Sequence, residues 1–79
     1  MLFRSDRFLR NVLIAIGNSG DAALAPRAAA LLAHPSPLVR AMAVWAGRRL
    51  VGTEGLALAS PGSRATERDA GVLAEWEHP

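Results

Sequence analysis

The chain of 79 residues has room for one small domain, and its 51% of apolar residues exclude the composition of a disordered protein. It contains no Cys, which excludes disulfides and Cys-ligated zinc or iron–sulfur sites within this sequence. Seven Arg against two Asp give residues 1–50 a charge of +5, and two Arg against five acidic residues give 51–79 a charge of −3. A basic region is typical of a nucleic-acid surface, but also of a solvated face with salt bridges.

The first predicted element is a helix over about 7–18. Apolar residues recur there at helical spacing, and Ser5 or Asp6 can cap the free N–H groups of its first turn. The short apolar run 12–16 by itself also fits a buried strand, although the Ala-rich surroundings favour a helix. Because this helix is apolar over most of its circumference, we expect neighbours to pack on two of its sides.

A turn over 18–21 separates this helix from a second one over about 22–33. The Gly and Asn residues of the turn tolerate left-handed backbone. Pro26 suits only the first turn of a helix, so we expect the second helix to begin nearer 24–25. Its Ala residues are small enough to allow close packing on the first helix, and the sequence His-Pro-Ser-Pro at 34–37 ends it.

The third predicted helix covers 37–51, with Ser36 as its cap and Pro37 at its first position. We expect it to bury four large apolar side chains: Leu38, Met42, Trp45 and Leu50. A short helix over about 53–60 follows. The last helix is predicted over about 69–77, and the sequence TERD at 66–69 before it resembles a capping box.

A repeat of thirty residues relates the first helix to the third. The sequence FLRNVLIAIG at 8–17 returns as LVRAMAVWAG at 38–47, with Arg10 matching Arg40. Periods of about 20–50 residues are typical of stacked repeats whose units share a core. We therefore predict one all-α domain over 1–79, a short α-solenoid. Its parts are two repeats and a capping helix, over about 7–34, 36–60 and 66–77.

The amino-terminal region also resembles a secretory signal. A short apolar run over 12–16 and the sequence Ala23-Leu24-Ala25 follow three basic residues, Arg4, Arg7 and Arg10. Because the run is short and polar residues interrupt the pattern, we favour a helix of the domain and a cytoplasmic location. A membrane span needs about 20 apolar residues, and the sequence has no such run.

Patterns of catalytic and metal-binding residues are missing from the sequence. It has no Gly-rich phosphate loop and no Gly-x-Ser-x-Gly motif, and the spacing of His34 and His78 makes no metal site. Trp45 can serve as a platform for stacked bases, but a Trp within an apolar helix more often belongs to the core. We therefore expect no catalysis by this chain alone.

The sequence resembles one protein family in several segments. The segments FLRNVLIAIGNSGD at 8–21, HPSPLVR at 34–40 and AVWA at 43–46 resemble the C-terminal HEAT-like repeat region of epoxyqueuosine reductase, as does the ending VLAEWE at 72–77. The resemblance is strongest over 7–50. It implies an all-α, HEAT-like α-solenoid that belongs to an enzyme of queuosine biosynthesis in tRNA.

The resemblance also implies a catalytic part that this chain lacks. The family reduces epoxyqueuosine to queuosine in tRNA with cobalamin and two four-iron four-sulfur clusters, whose Cys ligands are missing here. We expect no cofactor in this chain. The family's repeat module helps to hold the tRNA anticodon stem-loop, so a grip on RNA shape and phosphate is the function expected to remain. The expected RNA-binding residues lie on the first and third helices: Arg7, Arg10, Asn11, Arg40 and Arg48.

Other interpretations stay open. For Arg10 and Arg40, the alternative to phosphate binding is pairing with turn carbonyls or acids between repeats. For the whole chain, the alternative is a HEAT-type scaffold without a catalytic role, which binds a catalytic domain or another protein through an exposed apolar patch. The chain is also compatible with a truncated gene product, a separately encoded piece or a fragment without independent function.

Overall fold

The computed structural model of the protein describes residues 5–78; Arg4 of the secretory interpretation, with the rest of 1–4 and residue 79, lies outside the described residues. Within 5–78 all regular structure is helical and no strand occurs, which confirms the all-α prediction. None of the described helices is long and apolar enough to cross a membrane. The helices are α1 (Asp6–Asn18), α2 (Ala25–Ala30), α3 (Pro37–Ala59), α4 (Ser63–Thr66) and α5 (Ala70–Glu77), with 3₁₀ turns at Ala22–Leu24 and Leu31–Ala33 on either side of α2.

Helix α1 begins and ends at local hydrogen bonds. The hydroxyl of Ser5 accepts from the N–H of Phe8 at 3.1 Å, as a cap at this position should, and the hydroxyl of Ser19 donates to the carbonyl of Ile16 at 2.6 Å. Phe8 is 49% exposed, whereas Leu13 is fully buried. The prediction of neighbours on two sides of α1 is wrong, because α1 packs mainly on α3 and by one side.

Helix α2 is short, and Pro26 occupies its second position, where the missing N–H costs no helical hydrogen bond. The carboxylate of Asp21 accepts from the N–H of Ala23 at 3.0 Å and starts the 3₁₀ turn before α2. The predicted start near 24–25 is confirmed. The buried small residues of α2 contact α3 far more than α1, which differs from the expected packing: Ala25, Ala28 and Ala29.

Helix α3 has two segments, 37–51 and 53–59, joined at Gly52. Gly52 has φ 77° and ψ 170°, a backbone conformation open almost only to Gly. The second segment folds back on the first. A Cβ built on Gly47 would lie only 2.5 Å from Cδ1 of Leu56, although the two residues would be about 13 Å apart along a continuous helix. The predicted break and the short helix after it are confirmed.

Two predicted helix caps differ from the structure. Ser36 occupies the N-cap position of α3 as predicted, but its hydroxyl makes no capping hydrogen bond. Thr66 is the last residue of α4 and does not cap the helix that follows. Asp69 caps α5 instead by accepting from the N–H of Val72 at 3.0 Å, and the helix begins at Ala70, which agrees with the predicted start near 69 and makes the capping unit shorter than 66–77.

Helix α3 is the centre of the core, since α1, α2 and α5 all pack against it. The largest fully buried side chains come from α1, α3 and α5: Leu13, Val39, Val44, Leu56, Val72 and Trp76. The predicted burial of Leu38 is wrong, because Leu38 is 49% exposed while Val39, one position and about 100° further around the helix, is fully buried. The other three predicted core residues of α3 are half-buried: Met42, Trp45 and Leu50.

Candidate nucleic-acid interface

The amino-terminal part of α1 carries exposed polar side chains. Arg7, Arg10 and Asn11 follow one another at the spacings of one helix face, and all three are exposed while Leu13 faces the core. Within residues 5–78 none of these three side chains makes a hydrogen bond or an ion pair. Their donors and the two charges are therefore accessible to a ligand from solvent.

Arg40 is held by four acceptors. Its Nε and Nη2 donate to the two carboxylate oxygens of Glu67 at 2.9 and 3.0 Å, and its Nη1 donates to the carbonyls of His34 at 2.9 Å and Pro35 at 3.0 Å. The hydrogen bond from Arg40 lowers the pKa of Glu67 below its ordinary value, and the same bond raises the pKa of Arg40. These contacts favour the structural interpretation of Arg40, and phosphate binding by this residue stays a prediction.

The two repeat-related arginines differ in their surroundings. Glu67 lies 27 residues after Arg40, and the residue 27 positions after Arg10 is Pro37, which has no charge. The match between Arg10 and Arg40 in sequence therefore does not extend to a carboxylate partner. Within residues 5–78, Arg10 makes no ion pair at the position where Arg40 is paired with Glu67, although Asp6 lies one turn before Arg10 on α1.

Arg48 binds the end of α5. Its Nε donates to the hydroxyl of Thr53 at 2.7 Å, its Nη1 donates to the carbonyl of Glu75 at 2.5 Å, and its Nη2 donates to the carbonyl of His78. Carbonyls in the last turn of a helix lack helical partners and favour a cation nearby. Arg48 thus joins α3 to α5, and its predicted role in RNA binding is not tested by these contacts.

Arg49 was not among the predicted site residues, yet it lies beside α1. Its Nε donates to the carbonyl of Gly17 at 3.1 Å, and its guanidinium carbon lies 5.2 Å from the centre of the Trp45 ring. Trp45 is half-buried, and its indole ring lies so close to Gly17 that a Cβ on Gly17 would overlap it. No sequence signal separates Arg48 from Arg49, since neighbouring helical residues differ only in direction, by about 100°.

Three arginines follow one edge of α1. Gly17 lies seven residues, or two turns, after Arg10 and therefore on the same edge, about 10 Å further along the axis. The guanidinium of Arg49, a residue of α3, lies beside this edge because its Nε donates to the carbonyl of Gly17. Arg7 precedes Arg10 by one turn. We call Arg7, Arg10 and Arg49 the basic edge. A row of cations with free donors at this spacing suits an extended polyanion such as a nucleic-acid backbone.

Metal-binding groups do not occur in the part of the chain that the structure describes, in that no three His, Asp or Glu side chains cluster there. The iron–sulfur clusters implied by the family resemblance need Cys ligands, which the sequence lacks, so its residues do not fit such clusters. No step of the function considered below uses these clusters or cobalamin.

Comparison with known proteins adds no family to this description. No family model, no curated protein and no solved structure matches the chain. The candidate interface therefore rests on the residues of this chain and on their geometry.

Proposed function

We propose that the chain is a HEAT-like repeat module that grips RNA through its phosphates, related to the tRNA-binding C-terminal module of epoxyqueuosine reductase. The observation that supports this function best is the contrast between repeat-related arginines: Arg40 is paired with Glu67, whereas Arg10 and its neighbour Arg7 are exposed and make no ion pair within residues 5–78. Exposed arginines without partners bind phosphate at little cost, since no internal contact must first break.

The repeat character is supported by the order of helices. Two related sequences form α1 and the first segment of α3, and each is followed by a shorter helix, α2 or the segment 53–59. Helix α5 packs on α3, as a cap on a short stack would. In this proposal α1 is the helix at the open end of the stack, and it carries the basic edge.

The RNA proposed for this site is a structured one, with the tRNA anticodon stem-loop as the candidate. A helical module that offers arginines contacts mainly the phosphates and the shape of an RNA. Asn11 would donate to a phosphate oxygen or a 2′-hydroxyl beside Arg7 and Arg10. Arg48 and Arg40 would add long-range attraction more than direct contacts, because their donors already serve protein acceptors.

The reductive chemistry of the family lies outside this proposal. The chain would act with a catalytic domain or partner protein that holds the cofactors, in the cytoplasm where tRNA is modified. RNA binding by the isolated chain can be measured without that partner.

The experiment is a titration of a fluorescently labelled anticodon stem-loop with the purified chain at low and moderate salt. We expect binding that weakens with salt and weakens further in Arg7→Ala/Arg10→Ala. The matched control is Arg27→Ala, which removes an exposed arginine of α2 that has no ion pair within 5–78. Circular dichroism of all variants checks that they remain helical. Equal affinities for the double variant and the control contradict the proposal.

The alternative function, a scaffold that binds protein, has its own supporting observation. Leu58 is 81% exposed and Leu38 is 49% exposed, and large apolar side chains on a surface mark protein-binding sites when they are contiguous. A helical, monodisperse chain that ignores RNA and loses binding to a partner protein on Leu58→Ser would favour this alternative.

A further inference from the structure

A cleft of about 470 Å³ lies between α3 and the end of α5, next to the basic edge. It is lined by one aromatic, two cationic, one acidic and one imidazole side chain: Trp45, Arg48, Arg49, Glu75 and His78. The two guanidinium groups outnumber the single carboxylate, so the cleft attracts an anion. Its volume falls within the range of small-ligand sites, about 300–1,000 Å³.

Trp45 and Arg49 form a cation–π pair at this cleft, the Arg49–Trp45 stack. Gly17 lies against the indole ring, since a Cβ on Gly17 would come within 2.9 Å of Cη2 and 3.0 Å of Cε3. The guanidinium of Arg49 lies over the same ring, 5.2 Å from its centre, and its Nε is held by the carbonyl of Gly17 at 3.1 Å. Neither the indole nor the guanidinium can turn away without losing one of these contacts.

The outer part of the stack is accessible. Arg49 is exposed, and within residues 5–78 its two terminal nitrogens make no hydrogen bond. A guanidinium plane stacks on nucleobases as aromatic side chains do, and its free N–H groups can at the same time donate to phosphate. A blunt RNA duplex offers no free base face to such a plane except at its ends.

We propose that the Arg49–Trp45 stack is a platform for one unpaired nucleobase of an RNA strand. The base stacks on the guanidinium of Arg49, and the flanking phosphates lie along α1 toward Arg10. This inference rests on the proposed RNA-binding function and adds a single-stranded element to it. Glu75 also lines the cleft, and we expect its carboxylate to accept from the amino group that adenine, cytosine and guanine carry and uracil lacks.

The test uses short oligoadenylate, oligouridylate, a blunt RNA duplex and free AMP as probes of the full chain. Binding is followed by fluorescence anisotropy of labelled strands and by the intrinsic fluorescence of Trp45, since Trp76 is only 2% exposed. We expect oligoadenylate to bind more tightly than oligouridylate and to quench the indole. Arg49→Lys keeps the charge but loses the plane, and it should weaken oligoadenylate binding about tenfold while duplex binding hardly changes.

The control is Arg27→Lys, the same exchange at an exposed arginine of α2. If Arg49→Lys and Arg27→Lys bind oligoadenylate equally, or if oligoadenylate and oligouridylate bind alike without quenching, the platform is refuted while salt-sensitive duplex binding still supports the RNA grip. If AMP alone quenches as strongly as the strand at equal concentration, the cleft is a mononucleotide site and the strand assignment is wrong. If no RNA binds at low salt, the proposed function and the platform both fail.

Discussion

The guanidinium of Arg40 and the carboxylate of Glu67 meet at two points, with 2.9 Å between Nε and Oε1 and 3.0 Å between Nη2 and Oε2. The same carboxylate accepts from the backbone N–H groups of Arg68 and Asp69 at 3.1 and 3.0 Å. One side chain of the loop between α4 and α5 thus organises that loop and fastens it to the start of α3. The Glu67 side chain is 7% exposed, so the contact is largely shielded from solvent.

This pair predicts a specific loss of stability in acid. The pKa of Glu67 is lowered in the folded chain below its ordinary value of 4.5, first by the hydrogen bond from Arg40. A carboxyl group whose pKa is lowered by folding stabilises the folded state at pH values above its ordinary pKa. This stabilisation is lost as the pH falls through the pKa that the group has in the folded state. We expect the Tm of the wild type to fall more steeply below about pH 4.5 than that of Glu67→Gln, which has no charge to lose.

The control for the acid experiment is Glu77→Gln. Glu77 lies 4.0 Å from Arg64, and both side chains are well exposed, so their interaction is weak. Its variant should follow the pH profile of the wild type. Identical profiles for all three proteins would show that the Arg40–Glu67 contact does not control acid stability.

The contact of Gly17 with Trp45 predicts that Gly17→Ala destabilises the fold. An Ala in a helix is normally better than Gly by about 0.5–1 kcal/mol, but here its Cβ would overlap the indole ring. We expect a net loss of about 1–2 kcal/mol in the free energy of unfolding, since overpacking typically costs about 1–3 kcal/mol. Urea unfolding of Gly17→Ala, Trp45→Leu and the double variant measures the coupling. The smaller Leu should recover part of the loss, and additive effects would contradict the proposed overlap.

The backbone conformation of Gly52 predicts that a substitution there destabilises the fold through backbone strain and not through overlap with a neighbour. No atom beyond the adjoining backbone lies within 4 Å of a Cβ built on Gly52, so a side chain there would have space, but φ of 77° and ψ of 170° disfavour an L-residue. We expect Gly52→Ala to lower the free energy of unfolding by about 1–3 kcal/mol. A synthetic chain with D-Ala at position 52 is the matched control, because a D-residue prefers positive φ. Equal stability of the L-Ala and D-Ala chains would exclude backbone strain as the cause.

The hydrogen bonds from Arg48 predict local loosening of α5. Arg48→Lys keeps the charge but cannot span the hydroxyl of Thr53 and the carbonyls of Glu75 and His78 with one planar fork. Hydrogen bonds to charged groups contribute about 1.5–3 kcal/mol, so amide exchange in α5 should accelerate by about ten- to a hundredfold. Amides of α1 in the same molecule are the internal control. Uniform acceleration in α1 and α5 would mean that Arg48 stabilises the whole fold and not this helix end.

Local signals in the sequence predicted the helices well. Ser5 at the start of α1 acts through a hydrogen bond within the first turn, and Pro37 at the start of α3 acts through its fixed φ, so both starts depend on local sequence and not on packing. The capping residue of α5 could not be chosen from local sequence, because Thr66 and Asp69 both suit a cap and only the path of the chain selects Asp69.

The partners of the arginines could not be predicted in the same way. Arg10 and Arg40 occupy matching positions of the repeat, but Glu67 reaches Arg40 from 27 residues away and no counterpart reaches Arg10. Arg48 and Arg49 are neighbours in sequence, yet one binds the end of α5 and the other binds α1. Which arginine remains available to a ligand depends on the arrangement of whole helices.

The salt dependence of RNA binding tests the central claim most directly. The logarithm of the binding constant for the anticodon stem-loop is plotted against the logarithm of salt concentration for the wild type, Arg7→Ala/Arg10→Ala and Arg27→Ala. Each lost phosphate contact lowers the slope by about 0.7–0.9, so the double variant should have a slope smaller by about 1.4–1.8, while Arg27→Ala keeps that of the wild type. The same slope for all three proteins would contradict a phosphate grip by the basic edge of α1.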